Sequence, residues 1–175
     1  DDIITVPTDW MRGFYQNIDD TEQLGMNLHF ELSHGPVGSK VDYQFMHATY
    51  GSAFSAPTVY TIGGTQNVQS GDFLPGIPSH SVRWNSHYQV SNSIQLLMDV
   101  IGVGSKVYYG NFSNNTNSVL ASDGTTRIQL DEVPGYALMN VGMIWRPKRY
   151  IETLITVDNL FNKNYYTDGT YGQAP

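Results

Sequence analysis

The chain has 175 residues and a formal net charge of −7, with 14% of its residues charged and 13% aromatic. This length allows one domain with a sizeable core, and the acidic balance excludes the clustered basic face that nucleic-acid binding requires. The sequence has no cysteine, which excludes a disulfide scaffold, a thiolate metal site and a cysteine nucleophile. No stretch approaches the roughly 18 apolar residues of a membrane helix, so we expect any membrane contact to be made by strands.

Alternation of apolar and polar residues predicts β-strands along the chain. In "LGMNLHFEL" (24–32) and "ALMNVGMIWR" (137–146), apolar side chains take every second position. Such alternation over about ten residues is typical of a strand with one apolar face, and no segment has a helical period. We therefore predict an all-β fold, in which residues 10–17 end an early strand and six further strands follow. These six lie near 23–33, 40–51, 80–90, 93–109, 136–147 and 149–161.

Short and long connections alternate between the predicted strands. The short turns lie at 33–39, 91–93 and 147–149, and the long loops, rich in Gly, Asn and Ser, lie at 52–79, at 110–135 and after Asn162. Long loops gathered at one end are typical of a transmembrane β-barrel with short periplasmic turns and long extracellular loops. Compact soluble domains seldom contain connections of more than about 20 residues. The pattern therefore predicts an antiparallel up-and-down transmembrane β-barrel segment.

Aromatic residues lie near both ends of the predicted strands. Trp145 precedes a short turn, whereas Tyr50, Tyr108 and Tyr109 precede long loops, which are the levels of an aromatic girdle. A soluble β-sandwich with one wetted face also shows alternation. That alternative predicts that the Leu24–Leu32 and Ala137–Trp145 faces are buried against a second sheet. The loop asymmetry and the aromatic positions favour the barrel.

Three stretches resemble TonB-dependent outer-membrane receptors. "VDNLFNKNYY" (157–166) resembles the signature of their penultimate strand. "YQNIDDTEQLGMNLHFEL" (15–32) is similar to a hairpin entry of the family, with Asn27 where Glu is commoner. "DFLPGIPSHSVRWNSHYQ" (72–89) is similar to the loop that precedes a descending strand. The three stretches follow the family's order along the chain.

The resemblance implies that residues 1–175 form the C-terminal part of a receptor barrel, six or seven strands of about 22. The plug domain and the final strand are then expected outside this chain. The implied location is the bacterial outer membrane, with outer-membrane lipid and a TonB-type energising complex as partners. The implied function is energised uptake of a scarce solute, a small-molecule ligand such as a metal chelate. Ferric siderophores are the commonest cargo, and cobalamin, haem and glycans are alternatives.

Candidate ligand contacts lie on the long loops and on the polar strand faces. Aromatic and Arg side chains on the loops suit stacking and charge recognition, although packing between loops explains them equally well. Inward-facing polar residues would line a passage or contact the plug. The loop candidates are Tyr60, Phe73, Phe112 and Arg127, and the inward candidates are Arg83, Asn85 and His87.

Catalytic, metal and cofactor sites are not expected. His29, His47, His80 and His87 lack metal-ligand spacing, and the acidic pairs at 19–22 and 131–132 are expected to be solvated. No nucleophile-elbow sequence is present, so no enzyme activity is expected. Two other function classes stay open, namely a soluble β-sandwich binding module with long ligand loops and an outer-membrane barrel enzyme.

Overall fold

The computed structural model describes residues 2–9, 12–18, 20–57, 65–114, 119–120, 125, 127–128 and 132–169. Within these ranges the regular elements are all β-strands, as the alternation predicted. They are β1 (Asp2–Asp9), β2 (Arg12–Ile18), β3 (Thr21–His34), β4 (Val37–Tyr50), β5 (Phe54–Pro57), β6 (Thr65–Val68), β7 (His80–Ser91), β8 (Ile94–Val103), β9 (Val119–Leu120), β10 (Arg127–Ile128), β11 (Tyr136–Lys148) and β12 (Ile151–Val157). The same ranges contain no helix long and apolar enough to cross a membrane.

Six strands form one antiparallel sheet in the order β12-β11-β8-β7-β4-β3. Within this sheet the strands follow one another in chain order, and the short strands β5, β6, β9 and β10 lie in the connections. This is the up-and-down arrangement that the sequence predicted. Among the described residues no strand pairs with the outer edge of β3 or of β12, so the sheet is open.

Two predicted strands are shorter than expected. The strand predicted at 93–109 ends at Val103, close to the point where its partner β7 begins at His80. The Gly104 amide still donates to the His80 carbonyl at 2.8 Å, and beyond it β7 offers no further partner. The strand predicted at 149–161 ends at Val157, two residues before Asn159, whose φ of 49° is incompatible with an extended strand.

The turns and loops of the main sheet lie at opposite ends. Residues 35–36, 92–93 and 149–150 make the three tight turns, so each turn has two residues. In the first turn Gly35 has a φ of 57° and Pro36 fixes the next φ near −65°, which is a combination found in tight hairpins. The two long connections, between β4 and β7 and between β8 and β11, leave and re-enter the main sheet at its other end, as predicted.

The early strand predicted to end within 10–17 corresponds to β2, whereas its partner β1 and the strand pairs in the long connections were not predicted. β1 pairs with β2, β5 with β6 and β9 with β10, each as a separate two-stranded sheet. β5 and β6 have four residues each, with the sequences FSAP and TQNV. Such segments are too short for a period of two to be recognised.

The pairing register separates apolar from polar residues across the main sheet. Residues directly opposite each other on antiparallel strands share a face. One row across five strands is Phe30, Val41, Trp84, Val100 and Met139. We call the side of the sheet that carries this row the apolar face.

The adjacent row lies on the opposite side of the sheet. It consists of Glu31, Lys40, Asn85, Asp99 and Asn140. We call this side the polar face. The sequence alternation is therefore kept in register over five strands, and the sheet as a whole has two chemically different sides.

The buried core of the described residues lies among the loops and at the adjoining end of the main sheet. Ile18, Tyr50, Ala56, Val68 and Phe112 form this buried group, which we call the loop cluster. Its position is the end of the sheet where the long connections lie.

The girdle prediction for Tyr50 was wrong. Its side chain is only 1% exposed, and its pairing with Thr21 places it on the polar-face side of β4, where it packs under the loops.

Candidate functional site

The centre of the polar face is Asp99, an acid within the apolar run of β8. The Arg83 guanidinium donates to both of its carboxylate oxygens, from Nε to Oδ1 at 3.0 Å and from Nη2 to Oδ2 at 3.4 Å. Asn85 donates its Nδ2 to Oδ1, and Asn140 donates its Nδ2 to Oδ2 at 3.3 Å. The Asp99 side chain is 22% exposed against 59% for Arg83. Both oxygens therefore have donors, and the carboxylate is compensated within the protein.

The same network holds the end of β12. The Oδ1 of Asn140 accepts the backbone N–H of Asn159 at 2.7 Å. The Asn159 side chain then closes the following turn, because its Oδ1 accepts the Lys163 amide at 2.9 Å and its Nδ2 donates to the Lys163 carbonyl at 3.0 Å. The asparagines of "VDNLFNKNYY" thus terminate the strand, and Asn140 ties that terminus to the Asp99 network.

Further charges on the polar face are paired with one another. His29 Nδ1 lies 2.6 Å from Asp42 Oδ1, and Lys40 Nζ lies 3.9 Å from Asp42 Oδ2. His29 Nε2 is 3.8 Å from Glu31. Within the described part of the chain, no group of three or more His, Asp or Glu side chains is placed to hold a metal ion. Positive and negative side chains are therefore mixed on the polar face, and neither sign of charge dominates its surface.

The three predicted inward residues lie together along a cleft of about 540 Å³ on this face. Arg83 and Asn85 meet at Asp99, whereas His87 lies nearer the tight turns. The His87 ring covers Gly38, where a Cβ atom would collide with the ring. A larger residue at position 38 therefore requires the His87 ring to move. The cleft's polar lining includes Glu31, Lys40, Arg83, Asn85, His87, Asp99, Asn140, Thr156 and Asp158.

Gln66 joins the two long connections inside the loop cluster. Its side chain, in a residue that is 6% exposed, donates from Nε2 to the Gly110 carbonyl at 2.7 Å. Its Oε1 accepts the Phe112 amide at 3.0 Å and, at 3.4 Å, the Ser113 amide and hydroxyl. One amide side chain therefore satisfies several buried backbone groups of the neighbouring connection.

A second joint between the long connections lies nearer the surface. The Asn114 side chain accepts the Phe73 amide and donates to the Phe73 carbonyl at 2.8 Å. The Phe73 ring is 40% exposed and meets the His47 ring edge-on, with centroids 5.3 Å apart. The two loops are therefore held together as one unit at two places.

Tyr50 lies at the base of the loop cluster, at the last position of the 14-residue strand β4 and past the 9–11 residues that a tilted membrane strand needs. Its ring packs edge-on against Phe54, with centroids 5.1 Å apart. Burial, and then the nearby Asp72 carboxylate, raise the pKa of the Tyr50 hydroxyl above its ordinary value. Tyr50 therefore stays neutral and acts as a packing residue.

The loop candidates fall into different environments. Phe73 is on the surface, whereas Phe112 is 6% exposed within the loop cluster, which favours loop packing as its role. Tyr60 lies outside the described residues. Arg127 is in β10, which pairs with β9, and its side chain lies outside the described part.

Sequence reasoning missed Asp99, Asn140 and Gln66. A signal for Asp99 was present, because a single acid interrupts the apolar run of β8 at an inward position. Gln66 gave no such signal, because it lies in a short polar segment and its partners are more than 40 positions away in the chain.

The main sheet is an open antiparallel up-and-down sheet with unlike faces, an arrangement that is consistent with part of a barrel. A solved structure with this fold is the siderophore receptor PiuA from Acinetobacter baumannii, with a TM-score of 0.67 and 12% sequence identity over 95% of this chain. The match covers 21% of that receptor, so this chain spans about a fifth of its length. The likeness shows the fold alone. No protein-family model and no curated protein matches the sequence.

Proposed function

We propose that residues 1–175 form part of the barrel of a TonB-dependent outer-membrane receptor, which imports a scarce solute of the ferric-siderophore class. The observation that carries the proposal is the uncovered apolar face. On β3, Leu24, Met26, Leu28, Phe30 and Leu32 are each 47–67% exposed. A contiguous apolar surface of this kind marks a contact with protein or membrane. Lipid can cover it along strands that are long enough to span a membrane.

The soluble sandwich is less consistent with these exposures. It requires a second sheet over the Leu24–Leu32 and Ala137–Trp145 faces, and none covers them among the described residues. Trp145, for example, is 45% exposed. An outer-membrane barrel enzyme has no specific observation in its favour.

In the proposed receptor the polar face lines the interior. Its cleft, with Arg83, Asn85, His87 and Asp99, would face the passage or the plug. The joined long loops would form part of the outer surface, and Phe73 is the described loop candidate whose ring is free to contact a ligand. The likeness to PiuA, a siderophore receptor, supports the siderophore class, and the resemblance of the motifs supports the receptor family.

Two measurements on the full-length protein in cells test the proposal. The first is uptake of radiolabelled ferric siderophores by iron-starved cells with and without the gene. Uptake should require both the gene and an intact TonB-type complex, whereas uptake of every tested siderophore without the gene would reject the cargo class.

The second measurement is the topology of the sheet, for which the absence of cysteine from this chain is convenient. A membrane-impermeant maleimide should label Gln69→Cys, on the long-loop side, in intact cells. It should label Asn92→Cys, in a tight turn, only after the outer membrane is permeabilised. Equal labelling of both positions in intact cells would contradict a spanning sheet.

A further inference from the structure

The tight turn between β11 and β12 carries an unusual share of the chain's positive charge. Arg146, Lys148 and Arg149 are three of the nine Lys and Arg residues in a chain of net charge −7. Lys148 and Arg149 are exposed. The turn lies beside the turn that joins β7 and β8, and a groove of about 580 Å³ separates them, lined by both turns.

A register shift places Lys148 on the apolar face. Trp145 pairs with Thr153, but the next pair is Lys148 with Ile151, so β11 contains one residue more than β12 over this interval. Pro147 lies within it and has no N–H for the ladder, which suits a bulge. Thr153 lies opposite Trp145 and therefore on the apolar face. Ile151 is two residues away from Thr153 on β12 and shares that face, so its partner Lys148 lies there too. Without the bulge, Lys148 would lie on the polar face.

The positive charges of the turn are not equally available. The Arg146 Nε lies 2.6 Å from Glu152 Oε2, so this pair is neutral. Across the described residues no carboxylate lies within 4.0 Å of the Lys148 ammonium or the Arg149 guanidinium. Lys148 Nζ lies 6.0 Å from the centre of the Tyr150 ring, which attracts a cation without neutralising it.

Aromatic and aliphatic side chains adjoin the two free cations. Tyr150 is 80% exposed, Trp145 45% and Ile151 42%. Trp and Tyr favour the level of lipid headgroups, and Lys and Arg at that level donate to phosphate. We call Trp145, Lys148, Arg149, Tyr150 and Ile151 the turn patch. Cations above an apolar edge are complementary to an anionic headgroup above its acyl chains.

We propose that the turn patch is a binding site for an anionic phospholipid in the leaflet that faces the tight turns. Lys148 and Arg149 bind the phosphodiester, and the acyl chains lie along the apolar face past Trp145 and Ile151. Asn92 and Ser93 of the adjacent turn line the same groove and offer polar contacts to the headgroup. The inference rests on the proposed membrane position of the sheet, but it adds a lipid preference that this position alone does not require.

The test uses the full-length protein in nanodiscs that contain phosphatidylglycerol and phosphatidylcholine of matched acyl chains. Native mass spectrometry of the released protein measures the ratio of the two lipids that stay bound. Lys148→Gln and Arg149→Gln should each lower the preference for phosphatidylglycerol about fivefold, which is the usual effect of one cation near an anionic surface. Lys148→Arg should retain the preference. Lys163→Gln, which removes one exposed charge at the opposite end of the sheet, should leave it unchanged.

The outcomes separate the lipid site from the membrane placement. A preference that Lys148→Gln and Arg149→Gln leave intact, in protein that enters nanodiscs normally, would overturn the lipid site and leave the receptor proposal standing. Failure of the wild-type protein to enter any bilayer would overturn both. A loss of preference in Lys163→Gln equal to that in Lys148→Gln would show a general charge effect and would also overturn the site.

Discussion

Replacement of Gln66 by Leu should release the two long connections from each other. Leu is close to Gln in size but can neither donate to the Gly110 carbonyl nor accept the Phe112 amide, both of which are buried. Each buried group left without a partner costs about 1–3 kcal/mol. For the two groups together we therefore expect the contact between the loops to lose about 2–6 kcal/mol. The main sheet, which Gln66 does not contact by hydrogen bonds, should keep its stability.

Hydrogen exchange of the full-length protein measures this loss at the amides themselves. A loss of about 2–6 kcal/mol corresponds to exchange about thirtyfold to twenty-thousandfold faster at Phe112 and Ser113, since each 1.4 kcal/mol is a factor of about ten. Gln69→Leu is the matched control, because Gln69 is exposed in the same connection. Unchanged exchange at Phe112 in Gln66→Leu would refute the idea that this side chain joins the loops.

Three further substitutions test the polar face and its edges, each by the urea midpoint for unfolding of the full-length protein from lipid vesicles. Asp99→Ala should cost about 1–3 kcal/mol because it leaves the Arg83 charge without its carboxylate. The control is Asp158→Ala, in the same cleft but outside the network. Equal urea midpoints for the two variants would count against the network. Gly38→Ala should cost about 1 kcal/mol because its Cβ forces the exposed His87 ring out of its position. A second change, His87→Ala, should recover most of the loss, and no recovery would place the strain elsewhere. Asn159→Ala should cost about 1–2 kcal/mol, because alanine tolerates the left-handed φ poorly and cannot make the hydrogen bonds of the Asn159 side chain. Asn159→Gly should cost less, because glycine adopts that φ readily. The reverse order would contradict the role given to the backbone angle.

The main sheet was largely predictable because its signal is local. The alternation in "LGMNLHFEL" assigns a strand and both of its faces without knowledge of its neighbours, and β3 follows it from Thr21 to His34. The tight turns and long loops followed from the spacing of such segments. The ends of β8 and β12 did not follow, because β8 ends where its partner β7 begins and β12 ends before the left-handed φ of Asn159. Hydropathy reports neither the partner's limits nor a backbone angle.

The candidate site was only half predictable, since its contacts join distant parts of the chain. The alternation along β7 was enough to place Arg83 and Asn85 on the inward face. Their shared contact with Asp99, however, depends on the register between β7 and β8. Tyr50 was misplaced for a related reason. Its position at a strand end suggested a girdle, whereas the ring is buried in a cluster with Ala56, Val68 and Phe112 of the long connections. The packing of long loops has no periodic signal in the sequence.

The most direct test of the account is the phase that surrounds the apolar face. Nitroxide labels at Leu28→Cys and Asn27→Cys, in the full-length protein reconstituted in lipid, report collisions with oxygen, which concentrates in the bilayer, and with a water-soluble nickel chelate. The account predicts that the label at Leu28 collides with oxygen and is shielded from nickel, whereas the label at Asn27, one residue away on the polar face, is not enriched in oxygen collisions. Equal access of nickel to both labels, or a Leu28 label shielded from both reagents by protein, would contradict a lipid-facing sheet.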